Sequence, residues 1–149
     1  MRGGREVWRA VDVPLERLDE VVRGLLGHLP ETGVIAMEGE MGMGKTTWVR
    51  AICRAWGIEA GVASPTFGLV HEYRTPTGRT LHHLDLYRVR DEQEAWDLGL
   101  ESYFDAPVLN WVEWPERAGS LLPEDAWVLR FEGSTAGEDC RTVSLWSPA

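Results

Sequence analysis

The chain is poor in cysteine, in basic residues and in long apolar runs, and each shortage narrows what it does. Cys53 and Cys140 are the only cysteines, far apart and in no C-x-x-C arrangement. A single disulfide stays open, but the pattern fits two reduced thiols in a cytoplasmic protein better. No apolar stretch approaches the roughly 20 residues of a membrane-spanning helix, and no membrane role is expected. The first six residues are partly basic but no apolar segment follows them, unlike a secretory signal. Lys and Arg total 15 against 24 Asp and Glu, for a formal charge of −9. That is the wrong sign for a protein held mainly by a nucleic-acid backbone, although a local patch at Arg88, Arg90 and Arg117 remains open. Internal repeats, low-complexity tracts and long linkers are absent too. A chain of 149 residues has room for one core, so residues 1–149 are read as a single domain.

What is present is ordinary in bulk: 44% hydrophobic and 26% charged residues, as in a globular protein. The eight tryptophans run from Trp8 to Trp146 without clustering, which suits packing. Between residues 14 and 29, Leu15, Leu18, Val21, Val22, Leu25, Leu26 and Leu29 recur at spacings of three and four. This predicts an amphipathic helix, bounded by Asp12 or Val13. Residues 34–37 predict a buried strand, and residues 48–56 a helix ending at Gly57. Strands are expected over 67–74 and 81–87, joined at the 75–78 turn as a hairpin. An acidic first turn marks a short helix over 91–98. Strands follow at 108–112, 126–132 and 141–146, the last at the sheet edge. Early alternation of helices and strands predicts an α/β domain, a mixed, mostly parallel sheet flanked by helices.

The segment Gly39-Glu-Met-Gly-Met-Gly-Lys-Thr46 matches G-x-x-x-x-G-K-[ST], after a predicted strand and at the start of a predicted helix. Glycines let the backbone curl so that successive N–H groups face phosphate oxygens, and the helix dipole favours the same anion. In this P-loop, Lys45 would reach the β- and γ-phosphates, and Thr46 would offer its hydroxyl to Mg²⁺. The expected ATP-binding residues are Gly39, Glu40, Met41, Gly42, Met43, Gly44, Lys45, Thr46 and Thr47. No N-K-x-D motif is present to read guanine, so ATP is favoured. The fold class is therefore P-loop NTPase-like.

Three further segments, Ser64-Pro-Thr-Phe67, His83-Leu-Asp-Leu-Tyr-Arg88 and Val112-Glu-Trp-Pro-Glu-Arg117, follow in order. With the P-loop they resemble the signature segments of the TsaE (YjeE) family, the bacterial ATPases of tRNA threonylcarbamoyladenosine biosynthesis. The resemblance runs from about residue 33 to about residue 130, and Leu98-Gly-Leu-Glu-Ser-Tyr-Phe-Asp105 is close to another family segment. The family commonly has Gly-Asp-Leu-Gly-Ala-Gly-Lys-Thr where this chain carries Glu40, Met41 and Met43. It also has an N-terminal threonine with no clear match here.

The resemblance implies a Mg²⁺-dependent ATPase that works with the TsaB–TsaD pair and meets tRNA only indirectly. It implies switch residues Ser64 and Thr66, with the Thr66 hydroxyl facing the metal or γ-phosphate. Asp85 takes a Walker-B position, unless strand alternation turns it to solvent. Glu113, at the end of a buried strand, is the candidate for setting the attacking water or for holding Mg²⁺ through water. The candidate catalytic set is thus Lys45, Asp85 and Glu113, and the candidate metal set Thr46, Asp85 and Glu113. Tyr87, Arg88, Trp114 and Arg117 are expected at a nucleotide or partner surface. His82 and His83 are adjacent on a strand and point to opposite faces, so no zinc site is expected. A small-molecule kinase, or a switch that needs ATP but not its hydrolysis, remains an alternative.

Overall fold

Alternation along β2 (Gly33–Glu38) divides its side chains between two cores. Val34 and Ala36 join one apolar cluster, Ile35 and Met37 the other. A strand apolar on both faces belongs in the middle of a covered sheet, and β2 lies there. The structure is a computed structural model and describes residues 4–40, 42–58 and 69–148. The other strands are β1 (Arg5–Val13), β3 (Val70–Arg74), β4 (Thr80–Asp85), β5 (Leu109–Glu113), β6 (Trp127–Gly133) and β7 (Arg141–Ser147). They form one seven-stranded sheet in the order β1-β7-β6-β2-β5-β4-β3. Pairing is parallel from β6 through β2 and β5 to β4, and antiparallel at both flanks. This is the mixed sheet expected.

Helices α1 (Leu18–Leu26) and α2 (Lys45–Ala55) share a core with Ile35, Met37, Leu109 and Trp111 on one face. On the other face, α3 (Glu92–Asp97), α4 (Leu100–Asp105) and a 3-10 segment (Pro115–Leu121) bury Ala95, Leu100, Phe104 and Ala118 against Val34, Leu84 and Val112. Helix α1 buries Leu18, Val22 and Leu25 on one stripe, each fully buried leucine contributing about 1.5–3 kcal/mol. Asp91 caps α3 by accepting from the Glu94 N–H at 2.9 Å, a contribution of about 1 kcal/mol. Cys53 and Cys140 are free thiols. Burial pushes the Cys53 thiol up to about 11 against the lowering influence of Arg54, so Cys53 packs rather than reacts.

Three expectations need correcting, and two elements were not foreseen. The helix predicted from residue 14 begins at Leu18, because Pro14 leads into a 3-10 turn (Leu15–Arg17) with no side-chain cap. Asp12 is no helix boundary. It lies within β1 at φ +54, where the pairing with β7 slips between Ala10 and Val13. β7 is not an edge strand, since β1 pairs along it. The sequence reading missed β1 because Arg5, Glu6, Arg9 and Asp12 interrupt its apolar signal, as an exposed edge tolerates. It also missed α4, which buries Leu100 and Phe104, one turn apart.

The 75–78 turn closes the β3–β4 hairpin through a Gly78 N–H to Thr75 carbonyl bond of 2.9 Å. The strand begins at Val70; Phe67 lies outside the described residues. Register then decides where the chemistry gathers. Met37 pairs with Glu113, and Glu113 with Asp85, so both carboxylates stand at the strand ends beside the loop that leaves β2.

Candidate functional site

Residues 39–44 connect β2 to α2. Gly44 holds φ +82 as the N-terminal cap of α2, with no side chain capping it. The Trp48 N–H returns to the Gly44 carbonyl at 3.0 Å, so earlier N–H groups of the helix start have no acceptor within it. Together with the helix dipole they make the loop an anion site. At Gly39, an added Cβ would lie 3.0 Å from Phe131 Cβ and 3.1 Å from its carbonyl oxygen, so β6 admits only glycine. Lys45 is buried, its Nζ donating to the Gly39 carbonyl at 2.8 Å and sitting 4.6 Å from the Trp114 ring centroid. The ammonium is thereby held at the mouth of the loop.

Opposite it stands Glu113, 4% exposed. The Thr46 hydroxyl lies 3.1 Å from each Glu113 oxygen, and His83 Nε2 lies 2.6 Å from Oε2. Burial raises the Glu113 pKa. The His83 hydrogen bond and charge, the Thr46 hydrogen bond and the Lys45 charge outweigh it, and the carboxyl sits below its ordinary value. Asp85 shares the cleft with Lys45, Thr46, Tyr87, Glu113 and Trp114, a space of about 280 Å³. It therefore does not face bulk solvent alone. Its carboxylate accepts the Tyr87 N–H at 3.1 Å. A hydroxyl and two carboxylates are hard oxygen donors, the set that suits Mg²⁺ when phosphates and waters complete the shell. Trp114 adopts the left-handed region at φ +58, a conformation costing a bulky residue about 1–3 kcal/mol. That backbone sets its ring over Lys45 and 5.3 Å from the Tyr87 ring.

A second cleft, about 190 Å³, adjoins the loop on the side of α1, lined by Val13, Leu15, Thr47, Trp48, Asp139 and Arg141 among others. From the start of β7, the Arg141 Nε donates to the Met43 carbonyl at 3.2 Å and Nη2 to the Gly42 carbonyl at 3.1 Å. Nη1 donates to the carbonyls of Glu138 and, at 2.8 Å, of Cys140. Arg141 thus ties the phosphate loop to the last strand. Nothing in the sequence signalled this residue or Asp139, because their neighbours lie about a hundred positions away.

The remaining expected residues separate. Thr47 borders both clefts. Glu40 and Met43 close a turn of the loop, Met43 N–H to Glu40 carbonyl at 3.2 Å, and the Met43 side chain packs on the core. Met41, Ser64 and Thr66 lie outside the described residues. Tyr87 is 48% exposed and Arg88 is exposed. Arg117 instead donates to the Val89 carbonyl at 2.8 Å and lies 6.0 Å from the Trp114 ring, bracing the 3-10 segment. His82 faces the opposite core and contacts Asn110 Oδ1 at 3.1 Å. Among the described residues no three His, Cys, Asp or Glu side chains group as a metal cluster, and no helix is long and apolar enough to cross a membrane.

The sequence matches the family profile of "Threonylcarbamoyl adenosine biosynthesis protein TsaE" over residues 14–143. The chain belongs to the TsaE family. Among TsaE proteins, that of Bacillus subtilis is 37% identical over 138 residues, covering 93% of this chain and 83% of the relative. That of Haemophilus influenzae is 35% identical over 97 residues, covering 65% of this chain and 61% of the relative. The chain therefore spans just under two thirds of the latter. The crystal structure of Bacillus subtilis YdiB superposes with a TM-score of 0.69 over 97% of this chain and 87% of YdiB, at 24% identity, and supports the fold. The TsaE match begins at Pro14 and ends at Val143, so it takes in Arg141 as well as the signature segments.

Proposed function

We propose that this protein is a cytoplasmic Mg²⁺-dependent ATPase of tRNA threonylcarbamoyladenosine biosynthesis, acting with the TsaB–TsaD pair and touching tRNA only through it. The observation that carries the reading is the meeting of Thr46 and Glu113 beside Lys45. It joins the helix that follows the phosphate loop to the carboxylate at the end of β5.

Binding begins with the loop. Backbone N–H groups at the start of α2 take the phosphates, and Lys45 exchanges the Gly39 carbonyl and the Trp114 face for the β- and γ-phosphates. The adenine enters the second cleft, between Leu15 and the loop, where apolar side chains and Arg141 line the space. Thr46, with Asp85 and Glu113, would hold the metal, directly or through water. Mg²⁺ bound there would supply charge neutralisation for the phosphates. Glu113, ionised at neutral pH, accepts a hydrogen bond from the attacking water and orients it in line with the γ-phosphorus. Trp114 and Tyr87 wall the cleft against bulk water. The adjoining exposed Tyr87 and Arg88 offer the surface through which partners sense the bound nucleotide.

The test is ATP hydrolysis by the purified chain, alone and with the TsaB–TsaD pair and its tRNA. Binding to the pair with a change in turnover is expected. No binding and no change would sink the pathway reading while leaving the phosphate loop intact. A phosphorylated metabolite as product would favour a small-molecule kinase instead.

A further inference from the structure

We propose that His83 is a positioning residue for Glu113. The proposal rests on the reading of Glu113 given above and adds what holds that carboxylate in place. The Thr46 hydroxyl is equally distant from both Glu113 oxygens and does not by itself choose the rotation of the carboxylate. His83 does choose: its Nε2 takes Oε2 at 2.6 Å, which leaves Oε1, held only by the longer shared contact with the Thr46 hydroxyl, as the oxygen that turns to a water. Both side chains are buried, 7% and 6% exposed, so water does not compete for the bond and the ordering entropy is met in the fold.

The placement follows from register. His83 pairs with Trp111, and Asp85 with Glu113, so His83 lies two residues back on the same face of the sheet as both carboxylates. The imidazole plane is set in turn. His71, its partner across the β3–β4 hairpin, stacks on it at 5.9 Å between centroids, and Tyr73 stacks on His71 at 6.2 Å. Three rings therefore run inward from the edge strand and end on the carboxylate. Any form of His83 with a proton on Nε2 donates to ionised Glu113, so the arrangement does not depend on the charge of the ring. His83 touches neither nucleotide nor water in this scheme; it acts through Glu113.

Single-turnover hydrolysis of Mg-ATP and the ATP Kd, measured on the full chain, test this. His83→Phe keeps a stacking ring and removes the donor. Its hydrolysis rate should fall by about 10–100-fold, while the Kd stays within about threefold of the parent's. In His83→Gln the amide nitrogen reaches the position of Nε2, and most of the rate should return. The double variant His83→Phe, Glu113→Ala should be no slower than Glu113→Ala alone. If His83→Phe hydrolyses at the parental rate while Glu113→Ala does not, the proposal is overturned and the Glu113 reading stands. Equal loss of binding and hydrolysis in the Phe and Gln variants, with a lowered Tm, would also overturn it by showing a purely structural role. Parental hydrolysis by Glu113→Ala would overturn the reading of Glu113 and this proposal with it.

Discussion

The Thr46 hydroxyl stands 3.1 Å from both carboxylate oxygens of Glu113, a residue 67 positions further along the chain. The contact ties the first turn of α2 to the end of β5 and so holds the phosphate loop against the acidic side of the cleft. Thr46→Val keeps the shape and deletes the hydroxyl. It should raise the Mg²⁺ concentration needed for half-maximal hydrolysis, measured by titration at saturating ATP, and change ATP affinity measured without Mg²⁺ far less.

Lys45 is the only lysine in the sequence. Amine acylation should therefore modify one side chain besides the α-amino group, which mass spectrometry of the intact chain counts directly. ATP should protect that side chain, and modified protein should lose ATP binding in proportion to the label, as Lys45→Ala does outright. Labelling unaffected by saturating ATP would place the phosphates elsewhere.

Arg141→Ala removes the ties from β7 to the Gly42 and Met43 carbonyls. Loss of one charge-assisted hydrogen bond, about 1.5–3 kcal/mol, corresponds to a weakening of ATP binding by roughly tenfold or more. Calorimetric titration checks this, with Arg141→Lys expected to recover only part of it because a point charge cannot span both carbonyls.

The carboxyl of Glu113 has a pKa lowered from 4.5 in the folded chain. A depressed folded value means that the ionised form stabilises the fold. Its contribution is complete above the unfolded value and is lost as pH falls through the folded one. Urea unfolding of the nucleotide- and metal-free protein should show an acid-side decline beginning near pH 4.5. Glu113→Gln should flatten that decline.

Much of this site is legible in sequence because its parts are local. The phosphate loop is contiguous, and Glu113 ends an apolar run that announces a buried strand; Asp85 reads as lying inside the strand expected over 81–87, whereas β4 ends at it. Their meeting at one end of the sheet follows from parallel pairing, which the α/β pattern predicts. His83 and Arg141 are another matter. Residue types and periodicity place His83 on a strand but say nothing of a partner in β5, since that depends on the β4–β5 register. Arg141 reaches loop carbonyls 98 and 99 positions away, through a strand whose neighbour β1 hides behind charged residues. The left-handed Trp114 is equally silent in sequence, because nothing about tryptophan favours that conformation.

In the proposed reaction Glu113 sets the water that attacks a loop-bound ATP. Phosphate release from Mg-ATP under single-turnover conditions, with the TsaB–TsaD pair present, compares the parent with Glu113→Ala most directly. Glu113→Ala should bind ATP as the parent does and release phosphate at least about a hundredfold more slowly. Release at the parental rate would contradict this role for Glu113.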